Sequence, residues 1–248
     1  KYQDHVRGEI TLDTSELGDF IIARNMDEPL YHLTVVIDDH EMNVTHIIRG
    51  EDGISNTPRQ ILIQEAIGAK RPEYAHIPLI LAKDKSKLSG RHGAVSLNEY
   101  RRQGYLPEAM INYLALLGWH PRGVLGKTEQ EIFSLEELTN LFELERIQKG
   151  GAVMDAEKLN WINKQYIAVL SDDAFMEYAK QFVTAAAGDT LHKFAGVVRS
   201  RISHFSQFDE EIKSILELPL YEKNLLLWNG KLNEQDVKET LDILENTF

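Results

Sequence analysis

Residues 45–82 constrain the fold more than any other stretch. THIIRG (45–50) is a short apolar run closed by Gly50 and Gly53, which suits a buried strand. A helix opens next, with Thr57 as its cap, Pro58 at the first helical position and Gln60 three residues after the cap. Ile61, Leu62, Glu65 and Ala66 give it an apolar face with polar breaks, and Gly68 ends it. YAHIPLILA (74–82) is the next strand, where Pro78 marks an edge or a bulge near the middle. A strand–helix–strand unit closes as a right-handed crossover, so the two strands are expected side by side and parallel. Arg49 then falls at the carboxyl end of the first strand, where open α/β sheets bind their ligands.

The preceding segment, LTVVIDDHEM (33–42), is rich in Val and Ile, and propensity alone favours a strand. Spacing favours a helix, because Leu33, Val36, Ile37 and His40 fall at i, i+3, i+4 and i+7. A strand here would leave too few residues for a parallel crossover to the next one. The expectation is therefore a helix.

Elsewhere the signals are local. NMDEP (25–29) reads as a turn between two strands. LPEAMINYLALLG (106–118) is a helix from Pro107 to Gly118, with Met110, Leu114 and Leu117 on one face. SLEELTNLF (134–142) carries a capping box, Ser134 with Glu137, and Asp155 caps AEKLNWINKQYI. From Ser171 onward the chain reads almost wholly as helix. Ser171 caps DDAFMEYAKQFV, AAAGDT is a break, and Asn233 caps the last helix. Between them, LHKFAGVVRSRISHF is amphipathic through Leu191, Phe194, Val198, Ile202 and Phe205. Short capped helices in series imply an all-α bundle.

Hydrophobic residues make up 43% of the 248 residues, enough for a sizeable core, and no apolar run reaches membrane-spanning length. There is no signal-peptide pattern and no membrane partner is expected; a cytoplasmic protein fits. Without cysteines, disulfides and Cys-ligated zinc are excluded. The net charge of −12 argues against general adhesion to nucleic acid. Local basic surface remains available at Lys83, Lys85, Lys87 and Arg91, at Arg101 and Arg102, and at Arg199 and Arg201. His40-Glu41 with His46 has the wrong spacing for a zinc helix, and His32, His40, His46 and His76 read as packed or surface residues.

Three segments carry a resemblance to a known family. YHLTVVIDDHEMNVTHIIRGEDGISNTPRQILI (31–63), AHIPLIL (75–81) and KLSGRHGA (87–94) look like bacterial glutamyl-tRNA synthetase, in order, from about residue 19 to 168. The fold class this implies is α/β followed by all-α. Residues 1–35 correspond to the end of an acceptor-binding insertion and 36–85 to the second half of a class I nucleotide-binding fold. Residues 86–168 correspond to a stem-contact domain with a KMSKS-type loop, and 169–248 to a helical anticodon-binding domain. Neither an HxGH nor a GxGxxG pattern occurs. The expectation is a fragment without the HIGH-motif half and the last anticodon-binding domain, inactive alone.

The resemblance also assigns residues. A bidentate guanidinium matches a carboxylate, and Arg49 matches the family arginine that binds glutamate, with Tyr31 lining the same pocket. The structural alternative for Arg49 is an ion pair with Glu51 or Asp52. Lys87, Ser89 and Arg91 belong to the KMSKS-type loop, whose charge neutralises the departing pyrophosphate. Gly90 stands where the family usually has a second lysine. Asp52, Leu79, Ile80 and Lys87 match ATP-contacting positions. The implied reaction is glutamate–tRNA ligation, using glutamate, ATP with Mg²⁺ and tRNA-Glu. A monomer is expected in the full-length enzyme, with no protein-bound metal. The alternatives are a non-catalytic tRNA-binding fragment and a glutaminyl-type relative, against which IIRGED counts.

Overall fold

The computed structural model describes residues 1–88, 96–121, 130–183, 188–216, 227 and 233–245. A hairpin of β1 (Tyr2–Asp4) and β2 (Gly8–Ile10) opens the chain. Helix α1 (Tyr31–Glu41) follows, so the 3.6-residue spacing prevails over the β-branched composition of that segment. Strand β3 (His46–Gly50), helix α2 (Thr57–Ile67) and strand β4 (Glu73–Ile77) then form the crossover. β3 and β4 pair in parallel, from His46 with Glu73 to Gly50 with Ile77. β1 joins the far side of β4, also in parallel, giving the order β2-β1-β4-β3. Tyr2, Ile61 and Tyr74 form a core between α2 and the sheet, with Ile10 and Ile47 against it. Gln64 and the Tyr74 hydroxyl satisfy each other's hydrogen bonds inside that core.

Two details of this unit differ from the sequence reading. Asn56 rather than Thr57 is the N-cap of α2, and Thr57 lies fully buried inside the first turn. Pro58 and the left-handed Gly68 stand at the two ends as expected. The segment 74–82 is not one strand. Pro78 has no N–H for the ladder, β4 ends at Ile77, and the chain resumes as β5 (Ile80–Leu81) in a second sheet. There β5 pairs in parallel with β6 (Ala152–Val153).

NMDEP is a turn, with the Arg24 N–H donating to Glu28 O, but its flanks are reduced to one bridge between Ala23 and Pro29. After α3 (Leu97–Gln103), helix α4 (Pro107–Gly118) packs on α5 (Leu135–Leu141) and α6 (Ala156–Val169). Its buried residues are Ala109, Met110, Asn112 and Tyr113, whereas Leu114 is 46% exposed. Of the predicted Met110–Leu114–Leu117 face, Met110 is buried and Leu114 is not, because the buried side meets both neighbouring helices. Asn112 is fully buried because it accepts from the Phe133 N–H and donates to Glu131 O. The Ser134–Glu137 capping box and the Asp155 cap are both formed.

Two compact units divide the chain: residues 1–182 with 203–206, and 183–202 with 207–248. Helix α7 (Asp172–Ala179), capped by Ser171, belongs to the first unit. Phe205 does too, stacked among Phe175, Tyr178 and Phe182, so it does not continue the face of the preceding helix. In the second unit, α8 (Gly188–Arg201) packs on α9 (Phe208–Leu216) through buried Val198, Ile202, Phe208 and Ile212. Of AAAGDT (185–190), the residues 188–190 are helical and 185–187 lie outside the described residues. Asn233 caps the helix Glu234–Glu245, exchanging hydrogen bonds with Asp236. Among the described residues, no helix is long and apolar enough to cross a membrane.

Candidate active site

Arg49 sits one residue before the carboxyl end of β3, and its side chain is half-buried. Nη2 donates to Gly53 O at 3.1 Å, Thr57 Oγ1 at 2.8 Å and Gln60 Oε1 at 2.8 Å, and Nε donates to His76 Nε2 at 3.1 Å. Every one of these acceptors is neutral. Among the described residues, no carboxylate lies within 4.0 Å of the guanidinium, and Nη1 makes no hydrogen bond. The ion pairs that were the structural alternative are not formed, because Glu51 pairs with Arg7 at 2.6 Å and Asp52 with Lys87 at 2.7 Å. The seat leaves one edge of a fixed cation for an incoming anion.

Gly53 makes this seat sterically possible. A Cβ there would stand 2.5 Å from Arg49 Nε and 2.8 Å from its Cδ. Beneath the arginine runs a buried relay. Asp4 Oδ2 accepts from His76 Nδ1 at 2.6 Å, which leaves Nε2 as the acceptor for Arg49. Both residues are fully buried. Burial pushes the Asp4 carboxyl up, but N–H donors from Arg7, His76 and Val6 outweigh it and hold the group below the usual carboxylate range. Burial pushes the His76 imidazole down, against the pull of Asp4, which keeps the ring neutral and its Nε2 lone pair available.

Asp4, His76, Gln60, Thr57 and Gly53 were not assigned site roles from sequence. Gly53, Thr57 and Gln60 read locally as boundary and capping residues, and His76 as a packed or surface histidine. Asp4 lies 72 positions from its partner, beyond any local pattern.

The predicted ATP-side residues collect at the start of the second sheet. Asp52 is exposed, and Lys87 Nζ donates to its Oδ2; the lysine holds the Asp52 carboxyl below its usual range. A tight hairpin presents Lys87. The Ala82 N–H donates to Ser86 O, Asp84 Oδ1 accepts from the Ser86 N–H and hydroxyl, and Lys85 adopts φ +65°. The Leu79 N–H donates to Glu51 Oε1 and its carbonyl accepts from Ala152, while Ile80 O accepts from Leu88. Tyr31 is the first residue of α1, half-exposed, with its ring 5.3 Å from that of His32. Burial lowers the His32 pKa, with Arg59 and Arg49 adding to the effect, which places this end of α1 within the field of the arginine. Ser89, Gly90 and Arg91 lie outside the described residues.

Residues 1–161 match the family described as tRNA synthetases class I (E and Q), catalytic domain. The chain belongs to that family. Its fold is accordingly that of a class I synthetase catalytic domain, a mixed α/β sheet followed by helices. A glutamate–tRNA ligase of Carboxydothermus hydrogenoformans is 55% identical over 66% of this chain and 33% of its own length. One from Sulfurihydrogenibium sp. is 38% identical over 99% of this chain and 51% of its own. Among solved structures, a glutamate-tRNA synthetase from Elizabethkingia anophelis aligns with a TM-score of 0.76 at 30% identity, over 99% of this chain and 56% of that one. A glutamate tRNA ligase from Elizabethkingia meningosepticum, solved in complex with its amino acid, aligns at 0.74 with 29% identity, over 99% of this chain and 56% of that one. The chain therefore spans about half the length of the relatives it matches.

Proposed function

We propose that this class I synthetase chain works in glutamate–tRNA ligation, activating glutamate with ATP and passing it to tRNA-Glu. The observation that carries the reading is Arg49, a cation seated entirely by neutral acceptors with Nη1 uncommitted. A ligand carboxylate would give the guanidinium a directly paired counter-charge; among the described residues Asp39 meets Arg49 only through its field, with no carboxylate within 4.0 Å. With the side-chain carboxylate of glutamate held by Arg49 and Tyr31 beside it, the α-carboxylate is left to react. Its oxygen bonds to the α-phosphorus of ATP, the bond to the β-phosphate oxygen breaks, and pyrophosphate leaves. The 3′-terminal hydroxyl of tRNA then attacks the carbonyl carbon and AMP departs. Mg²⁺ accompanies ATP.

Lys87, with Ser89 and Arg91 beyond it, neutralises the departing pyrophosphate once Lys87 exchanges Asp52 for phosphate. Asp52 and the 79–80 backbone stand on the nucleotide side. Residues 36–85 serve as the second half of the nucleotide-binding fold, 86–168 contact the tRNA stem, and 169–248 reach the anticodon arm. The reading includes a monomer acting in the cytoplasm.

The test joins residues 1–248 to the remaining half of a full-length glutamate–tRNA ligase relative and measures glutamate-dependent ATP–pyrophosphate exchange with tRNA-Glu. Removing one partner of a buried charge pair costs about 3–5 kcal/mol. Arg49→Ala should therefore weaken glutamate use by about two to three and a half decades, at about 1.4 kcal/mol per decade. The KM for ATP should change little. Unchanged glutamate kinetics would remove Arg49 from this role.

A further inference from the structure

At the opposite end of β3 and β4 lies a group of side chains that this reading does not use. His46 and Glu73 are register partners at the first position of the two strands, about 10 Å along the sheet from Arg49 at roughly 3.3 Å per residue. His5 follows β1, and its backbone N–H donates to Tyr74 O at 2.9 Å, which brings its ring to the same corner. Glu73 Oε2 lies 2.5 Å from His5 Nε2 and 3.6 Å from His46 Nε2. The three residues offer ligand atoms that all lie within 4.8 Å of one another.

The other nitrogen of each ring is already engaged. His5 Nδ1 is 3.2 Å from Glu145 Oε1, and His46 Nδ1 is 2.9 Å from Thr45 Oγ1. An imidazole whose Nδ1–H donates to an oxygen presents Nε2 as a lone pair, and this outer hydrogen bond is the usual companion of a metal-bound histidine. Here the Nε2 atoms of two such rings and a carboxylate oxygen converge on one point. We propose that His5, His46 and Glu73 bind a divalent transition-metal cation of the zinc type, with Glu145 and Thr45 orienting the two rings. His46 is exposed, in keeping with its reading as a packed or surface residue, and the proposal adds a role to it.

The chemistry selects the ion. Two imidazoles and one carboxylate suit Zn²⁺, whereas Mg²⁺ and Ca²⁺ take oxygen ligands. Tetrahedral coordination with bonds of about 2.0–2.2 Å spaces ligand atoms roughly 3.3 Å apart. The His46–Glu73 pair is close to that spacing, and the His5–Glu73 pair must widen by about 0.8 Å. Glu73, with its side chain 59% exposed, has room to move. Without metal, the 2.5 Å approach of His5 Nε2 to Glu73 Oε2 is a hydrogen bond, which the ion would replace. Water takes the fourth position. A bound ion would tie the β1–β2 hairpin to the first residues of β3 and β4.

The untagged 248-residue chain, stripped with chelator, is titrated with Zn²⁺ by calorimetry, and the histidine ring nitrogens are followed by NMR. The expected result is one equivalent bound, with the Nε2 signals of His5 and His46 shifting. Loss of a partner that only orients a ligand costs about 10–100-fold in metal affinity. His5→Ala, His46→Ala and Glu73→Gln should each lose at least that much, and His40→Ala none. Glu73→Gln keeps the side chain's size at an exposed strand end, so the comparison survives if an alanine variant fails to fold. No saturable uptake, unmoved Nε2 signals, or ligand variants that bind like the parent chain would overturn the site.

Discussion

Gly53→Ala isolates the seat of Arg49 from the rest of the fold. Gly53 is not in the left-handed region, so alanine meets no backbone strain there. The obstacle is the new Cβ, 2.5 Å from Arg49 Nε, 2.8 Å from Cδ and 3.2 Å from Cζ. Ordinary carbon contacts begin near about 3.5 Å, so the arginine must retreat by roughly 1 Å. Its bonds of 2.8–3.1 Å would then stretch past the hydrogen-bond limit of about 3.2 Å, and the guanidinium leaves its seat. Overpacking costs about 1–3 kcal/mol. Loss of glycine's freedom in the unfolded chain returns about 0.4–1 kcal/mol, for a net destabilisation of at most about 2.6 kcal/mol. Function should suffer by on the order of 10²-fold, the cost of a misplacement of about 1 Å. Urea denaturation reads the first effect, and glutamate KM in the exchange assay on the joined protein reads the second. Gly50→Ala is the control: its Cβ meets the Asp52 carboxylate at 2.7 Å, on an exposed side chain that can swing away. Gly53→Ala with the parent's glutamate KM would refute the claim that a fixed guanidinium position matters.

Asp4→Asn keeps an oxygen for the Val6 and Arg7 N–H groups but sets an NH2 against the His76 donors; urea denaturation should show a loss of about 1–3 kcal/mol. Acid should act through the same pair. Asp4 and His76 both titrate lower in the folded state, so each contributes stability that is complete above its unfolded pKa, about 3.9 and 6.5. That stability is lost as pH falls through the lower folded value. The urea midpoint should therefore drop between pH 7 and pH 4, less steeply in His76→Gln, and parallel curves would contradict this. Gly104→Ala combines φ +78° with a Cβ 2.6 Å from Phe205 Cβ and 2.8 Å from Phe182 Cζ. Left-handed strain of about 1–2 kcal/mol and overpacking of about 1–3 kcal/mol should together remove about 2–5 kcal/mol in thermal unfolding.

The crossover was legible because each of its boundaries is a local backbone event. Gly68 ends α2 in the left-handed conformation, and Pro58 fits only the first helical turn. Helix α1 was legible because its apolar spacing and the short chain to β3 agreed against its composition. The break at Pro78 was missed because YAHIPLILA has the texture of one strand, and only the partner, β4 on one side and β6 on the other, decides which sheet each half joins. The buried face of α4 was misjudged because a single-stripe rule cannot anticipate two packing partners. At the site, Arg49 stood out by its neighbours in sequence. Its supports did not, since Asp4 and His76 meet only through the sheet, and the side-chain geometry that distinguishes a free guanidinium edge from an ion pair is tertiary.

The ten residues Glu73–Ala82 serve two sheets at once. His76 supports the arginine from β4, Leu79 is tied to Glu51, and Ile80 and Leu81 hold the base of the hairpin that carries Lys87. The seat of Arg49 and the lysine hairpin are therefore calibrated against one ladder. A one-residue slip of β4 along β3 would turn His76 away from Arg49 and carry the hairpin by about 3.3 Å in the same movement. Five register pairs fix the spacing between two chemically different ends of the site, as marks on a single ruler.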